Sequence, residues 1–184
     1  MHPLFIALPE LADDLSQFEQ KLSAFAQQLG LNLSELTLDH ISLRCHQDRT
    51  AERWAMVLSQ VGSCFSDAVI GGRPIHLYRL EQPLLLLNHP IDIVELPWPG
   101  EKRYRHEGWE HVEVVLAGEP EQIGQRAMAL IDDRGLVMPG ISVKTRRPQA
   151  KAGTLDNTTL AITNGEITLK FHTYAIDKVV ESER

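Results

Sequence analysis

Two histidines carry the strongest chemical signal in this sequence. His40 lies in Asp39-His40-Ile41 and His111 in Glu110-His111-Val112, 71 residues apart (111 − 40). Imidazole is the commonest protein ligand for first-row divalent metals. Two imidazoles at equivalent places in two modules would face each other if the modules packed with pseudo-twofold symmetry. A mononuclear site would then need one or two further ligands, typically a carboxylate. Glu95, in Ile91-Asp92-Ile93-Val94-Glu95-Leu96-Pro97, is the best candidate. A carboxylate among so many aliphatic residues is costly unless it is paired, protonated or bound to a cation. His172, in Ile167-Thr168-Leu169-Lys170-Phe171-His172, is the natural fourth metal ligand. Glu113 shares a strand face with His111 and could serve as a general base or as a hydrogen-bond partner of a ligand.

Each of these residues has a plainer reading, and both readings stand at this point. A lone strand histidine is more often structural than a ligand. Glu95 could lie on the solvent face of an edge strand, or pair with Arg103 or Arg105. His172 could touch substrate instead of metal, and Glu113 could form an outer salt bridge. Asp39 and Glu110 point away from the two histidines by strand parity and are poor ligands. His46, His89 and His106 are expected at the surface. His76 shares a face with Tyr78 and could line the same cup. Arg44 shares a face with His40, and together with Lys170 it would make the cup locally positive. That would suit a carboxylate or phosphate on the ligand.

The elements that must position these residues follow from periodicity. Leu11, Leu15, Phe18, Leu22, Phe25 and Leu29 form one stripe of a helix that ends at Gly30. Leu38 to Cys45 alternates as a strand, with Ile41, Leu43 and Cys45 on its apolar face. A helix from about Thr50 to Gln60 follows, ended by Gly62. Strands are expected over Ser63 to Ile70, Pro74 to Leu80 and Leu84 to Leu96. Gly71-Gly72 and Glu81-Gln82-Pro83 are read as turns, and a break is expected at Asn88-His89-Pro90. The pattern then restarts. A strand runs from Trp109 to Leu116, and a helix from Pro120 to about Asp133 is closed by Gly135. Strands follow at Ile141 to Thr145, Thr158 to Thr163 and Glu166 to Tyr174. Asn164-Gly165 signals a type I′ hairpin, and the tail after Asp177 is expected to fray.

The predicted fold is therefore α+β. Two βαβββ modules, residues 37–98 and 109–177, form a cupped, partly open barrel-like sheet with helices outside. Residues 1–36 form an N-terminal helical extension, 99–108 a linker and 178–184 a tail. A length of 184 residues accommodates two such modules. The net charge of −7 argues against a phosphate-backbone binder and so against nucleic-acid partners. No apolar run approaches the roughly 20 residues needed to cross a bilayer, and the N-terminus lacks a basic n-region. The expected location is the cytoplasm, and the expected state a monomer or homodimer. Cys45 and Cys64 are the two cysteines, without CxxC spacing. Dinucleotide, P-loop, GxSxG and HExxH motifs are absent.

The arrangement of His40 on a first strand, Glu95 on a fourth and His111 on a fifth resembles the vicinal oxygen chelate superfamily. Within it, four segments look like the YecM family: Leu38-Asp39-His40-Ile41, Val94-Glu95-Leu96-Pro97, Gly108-Trp109-Glu110-His111-Val112-Glu113 and Lys170-Phe171-His172-Thr173-Tyr174. The resemblance covers about Thr37 to Tyr174. It implies paired βαβββ units around a divalent metal (Zn, Fe, Mn, Co or Ni) that polarises a substrate through its oxygens. His40, Glu95 and His111 are the implied ligands. The superfamily usually offers Glu at the fourth place, where this chain offers Lys170 and His172. Two functions follow as expectations. One is a metal-dependent lyase, isomerase or dioxygenase acting on a small oxygen-bearing substrate. The other is a metal-free protein that sequesters a small ligand with Tyr78, Arg44 and Lys170.

Overall fold

The computed structural model describes residues 1–148 and 152–184. The described residues form a mixed α+β fold with six α-helices and nine strands. They divide into two compact units: Met1–Gln20 with His40–Glu110, and Lys21–Asp39 with His111–Arg184.

The first unit holds α1 (Pro3–Ala7) and the start of α2 (Pro9–Gln28). Each helix begins with a proline, whose missing N–H costs nothing in a first turn. There follow β1 (Thr37–Arg44), α3 (Asp48–Val61), β2 (Gly62–Ser66), β3 (Val69–Ile70), β4 (Arg73–Leu86) and β5 (His89–Pro97). The strand order is β2-β4-β5-β1, with β3 on β4. β1 and β5 run parallel, and the other pairs are antiparallel. The α3 stripe Ala51, Trp54, Val57 and Leu58 is buried. Gly62 ends α3 where a Cβ would lie 2.3 Å from the Arg79 carbonyl oxygen, so no side chain fits. Gln47 makes no side-chain cap for α3. Glu107 instead holds the residues that lead into the helix. Its carboxylate accepts from the His46 and Gln47 backbone N–H groups (2.9 and 3.2 Å), the Gln47 amide and the Thr50 hydroxyl. α2 is tied into this unit by its polar side chains. Asp14 accepts from the Trp109 N–H at 2.7 Å, and Glu19 from the Leu87 N–H at 2.8 Å.

Two expected interruptions of the strands differ in the structure. Glu81-Gln82-Pro83 is not a turn: β4 runs through it, with a register shift between Arg79 and Leu84. An irregularity of this kind is where a strand tolerates proline. The break expected at Asn88-His89-Pro90 is a tight turn at Leu87-Asn88, with Leu86 opposite His89. Both turn residues have positive φ, +48° and +67°, as a two-residue type I′ hairpin requires. Leucine is a poor residue there, because its Cβ crowds the following carbonyl. Leu87→Asn is expected to raise unfolding free energy by about 0.5–1 kcal/mol in urea titrations. An unchanged or lower midpoint would show that the Leu87 side chain contributes packing that outweighs the backbone strain.

The second unit continues from α2 and includes β6 (Gly108–Val115) from His111 onward. α4 (Ile123–Ala129), α5 (Asp133–Leu136), β7 (Ser142–Arg146), β8 (Thr159–Thr163), β9 (Thr168–His172) and α6 (Ile176–Ser182) follow. Its strand order is β6-β9-β8-β7, with β6 parallel to β9 and the remaining pairs antiparallel. In both units the first strand lies parallel to the last: the chain crosses from the first strand to the outer edge and meanders back inward. The repeat expected from the order of elements is thus a repeat of connectivity.

Four local expectations are corrected here. The single helix from Pro120 to Asp133 is a 3₁₀ turn (Pro120–Gln122), then α4, then a restart at α5 that the Asp132 carboxylate caps through the Arg134 N–H. Gly135 is not a helix stop. It is buried within α5, where a Cβ would come 2.4 Å from the Gln28 carbonyl oxygen. The Asn164-Gly165 hairpin joins Thr163 to Thr168 through four residues, so it is not a two-residue turn. Gly165 has φ +93°, and the Asn164 side chain accepts from the Glu166 and Ile167 N–H groups, an Asx turn. The tail also forms α6, which buries Val179 and Val180.

Candidate metal centre

In the first unit, register brings His40, Ser42 and Glu95 to one face. Ser42 is the parallel partner of Glu95, and His40 lies two residues before Ser42. His40 and Ser42 are fully buried. The Ser42 hydroxyl donates to Glu95 Oε1 at 2.8 Å, and His40 Nε2 lies 3.9 Å from Glu95 Oε2. β5 runs between β4 and β1, so Glu95 is not on an edge strand.

The same register separates His76 and Tyr78 from this face. Leu77 is opposite Glu95, while Tyr78 is opposite Val94 and His76 opposite Leu96. Side chains alternate along a strand, so both aromatic residues point to the other side of the sheet. There His76 Nδ1 accepts from the Trp98 indole N–H at 3.1 Å and sits 3.4 Å from the Tyr78 hydroxyl. Tyr78 is buried, and burial pushes its phenol pKa up. The expectation that His76 and Tyr78 line a cup with Glu95 is therefore corrected by strand parity. Arg44 is also engaged: its guanidinium pairs with Glu110 at 2.7 Å and lies 4.3 Å over the Tyr104 ring. Cys45 is buried, and its thiol pKa is pushed up to about 12 by burial and by the nearby Glu107 and Asp48 carboxylates. It is no nucleophile.

In the second unit, His111 and Glu113 are both buried, with His111 Nε2 3.2 Å from Glu113 Oε2. Glu113 is the register partner of Lys170, and His111 that of Thr168. Lys170 thus shares the face of the pair, as strand alternation predicts. His172 is fully buried, with Nε2 3.5 Å from Asp39 Oδ2. That Asp39 oxygen also accepts from the Ile176 N–H at 3.0 Å. Asp39, a poor ligand by parity on its own strand, becomes a partner of His172 through long-range packing. Ser42, two residues from His40 on the same face, is the group that holds Glu95, and its spacing was the signal for it. His106 pairs with Asp14 at 2.6 Å, and the His46 backbone serves Glu107.

These features define a mixed α+β protein of two βαβββ modules, each with a buried imidazole beside a carboxylate on its polar sheet face. The chain belongs to the YecM family, whose sequence model matches residues 7–183. Protein YecM of Escherichia coli is 51% identical over 177 residues, covering 96% of this chain and 94% of that one. A protein of Haemophilus influenzae is 32% identical, covering 93% and 92%. The solved structure of protein EC4020 is 51% identical, covers 97% of this chain and 93% of its own, and superposes with TM-score 0.90. No helix among the described residues is long and apolar enough to cross a membrane.

Proposed function

We propose that this protein binds one first-row divalent metal ion through His40, Glu95, His111 and Glu113, and acts on a small oxygen-bearing molecule in the manner of the vicinal oxygen chelate proteins. The observation that carries this reading is the spacing of His40 and Glu95. At 3.9 Å, Nε2 and Oε2 are too far apart for a hydrogen bond between them. Two donors on one ion, each about 2.0–2.2 Å from it, lie about 3–4 Å apart. Donor chemistry fits too, since two imidazoles and two carboxylates suit Zn, Fe, Mn, Co or Ni. That the two pairs share one ion rests on the repeat-equivalent positions of the histidines in the sequence. Glu113 replaces His172 as fourth ligand because it lies at His111 Nε2, whereas His172 faces an Asp39 carboxylate already held by backbone.

His40, Glu95, His111 and Glu113 would hold an ion that, when bound, would supply a Lewis acid for a substrate oxygen. The chain's own residues prepare the donors. Ser42 fixes Glu95 Oε1 by hydrogen bonding, which leaves Oε2 toward His40. His40 and His111 are buried, which limits competition from bulk water for these donors.

Elemental analysis of protein purified without an affinity tag tests the reading, alongside a His40→Ala, His111→Ala double variant. The expected result is close to one metal ion per chain in the parent and none in the variant. A parent without metal, whose affinity for added Zn, Mn, Ni or Fe is no better than the variant's, sinks the metal reading. The metal-free ligand-binding protein would then stand in its place.

A further inference from the structure

We infer that the sheet face beside the His111–Glu113 pair is a subsite for an anionic group of the ligand, a carboxylate or a phosphate, with Lys170 and Lys144 as its cations. It rests on the proposed function only in placing the ligand's other end at that pair. Register builds the subsite within the second unit. Glu113 is opposite Lys170, Lys170 opposite Ala161, and Ala161 opposite Lys144, so these four share one face across four strands. The intervening face of β8 at this level is only a methyl group. Strands lie about 4.8 Å apart, which puts the two lysine backbones about 10 Å apart across Ala161. Their flexible four-carbon stems can bring both ammonium groups over that methyl floor.

The row above adds Ser142 opposite Thr163 and Thr168 opposite His111. The row below adds Arg146 opposite Thr159. Cations and hydroxyls therefore collect on this face, in a chain whose net charge is −7. Among the described residues, no carboxylate lies within ion-pair distance of Lys170 or Lys144, whereas surface Lys178 pairs with Glu181 at 3.6 Å. Glu113, the nearest carboxylate by register, is directed at His111. Lys170 is half-buried, so an anion placed there would gain a charge-assisted hydrogen bond at a partly desolvated site. Arg44, the second cation expected from sequence, is bound to Glu110, and Lys144 takes that role.

Calorimetric titration of the full chain with inorganic phosphate and with malonate tests this at low ionic strength. Both chelator-treated and untreated protein are titrated, so failure of the metal reading does not decide the result. The expected outcome is binding of at least one probe to both preparations, weakened about 10-fold or more by Lys170→Gln and about 3-fold by Lys144→Gln. Lys178→Gln should leave it within about 2-fold. The stronger of the two probes identifies the group as phosphate or carboxylate. The inference is overturned if neither probe binds, or if Lys170→Gln behaves like Lys178→Gln. It is equally overturned if binding appears only in metal-containing protein and ignores both lysines, since the anion then sits on the ion alone.

Discussion

A His40→Ala variant is expected to bind first-row divalent metal at least about 100-fold more weakly than the parent, in competition titrations against a chromophoric chelator. Removing a ligand should exceed the 10- to 100-fold loss typical of deleting a group that merely orients one. His40 is fully buried, so bulk water has no ready route to replace it as a donor. Glu95 would keep its Ser42 hydrogen bond but lose the imidazole beside Oε2. Ser42→Ala should fall in the lesser range, about 10- to 100-fold, because Glu95 keeps its charge but loses its fixed orientation. His172→Ala should leave metal affinity within about 3-fold if Asp39 is its partner, and should act on stability instead. Circular dichroism of each variant separates lost ligation from lost fold. Metal affinity unchanged in folded His40→Ala protein would remove His40 from the site, and a His172→Ala loss as large as that of His40→Ala would return His172 to the ligand set.

Glu107→Ala is expected to cost about 2–3 kcal/mol of unfolding free energy at pH 7, measured by denaturant titration. Glu107 anchors the segment that leads into α3, and its carboxylate collects four donors there. The negative charge also suits the positive end of the helix dipole. Burial by itself would raise the Glu107 pKa, but hydrogen bonds from the His46 N–H, Thr50 and Gln47 outweigh it, and the net shift is downward from 4.5. A carboxylate with a depressed folded pKa contributes stability that is present above its unfolded pKa and is lost as pH falls through the folded one. The gap between parent and Glu107→Gln should thus be widest near neutral pH and should close in acid below about pH 4. A gap that persists undiminished at pH 3 would mean that the carboxylate's charge plays no part in this anchor.

Periodicity in the chain sets most of the elements and the faces on which their side chains lie. Strict alternation in Leu38 to Cys45 and in Trp109 to Leu116 placed His40 and His111 on polar strand faces. Helical spacing located α2 and α3, and the order of elements revealed the repeat. These are properties of period, which a chain carries locally. Glu95 also stood out locally, because a lone carboxylate among aliphatic neighbours demands a partner.

Register and long-range pairing emerge only once the chain is folded. Tyr78 and His76 looked like cup-lining residues until the β4–β5 register put Leu77 opposite Glu95. A one-residue difference in register moves every side chain to the other face. That register depends on an irregularity between Arg79 and Leu84 and on a tight turn at Leu87-Asn88, where leucine gives no local turn signal. Gly135 read as a helix stop, yet it is glycine because the Gln28 backbone passes against it. Asp39 meets His172 across 133 residues (172 − 39), and Glu107 anchors the lead-in to a helix that begins 59 residues earlier (107 − 48). No periodicity encodes such partners, because they come from where packing brings distant backbone together.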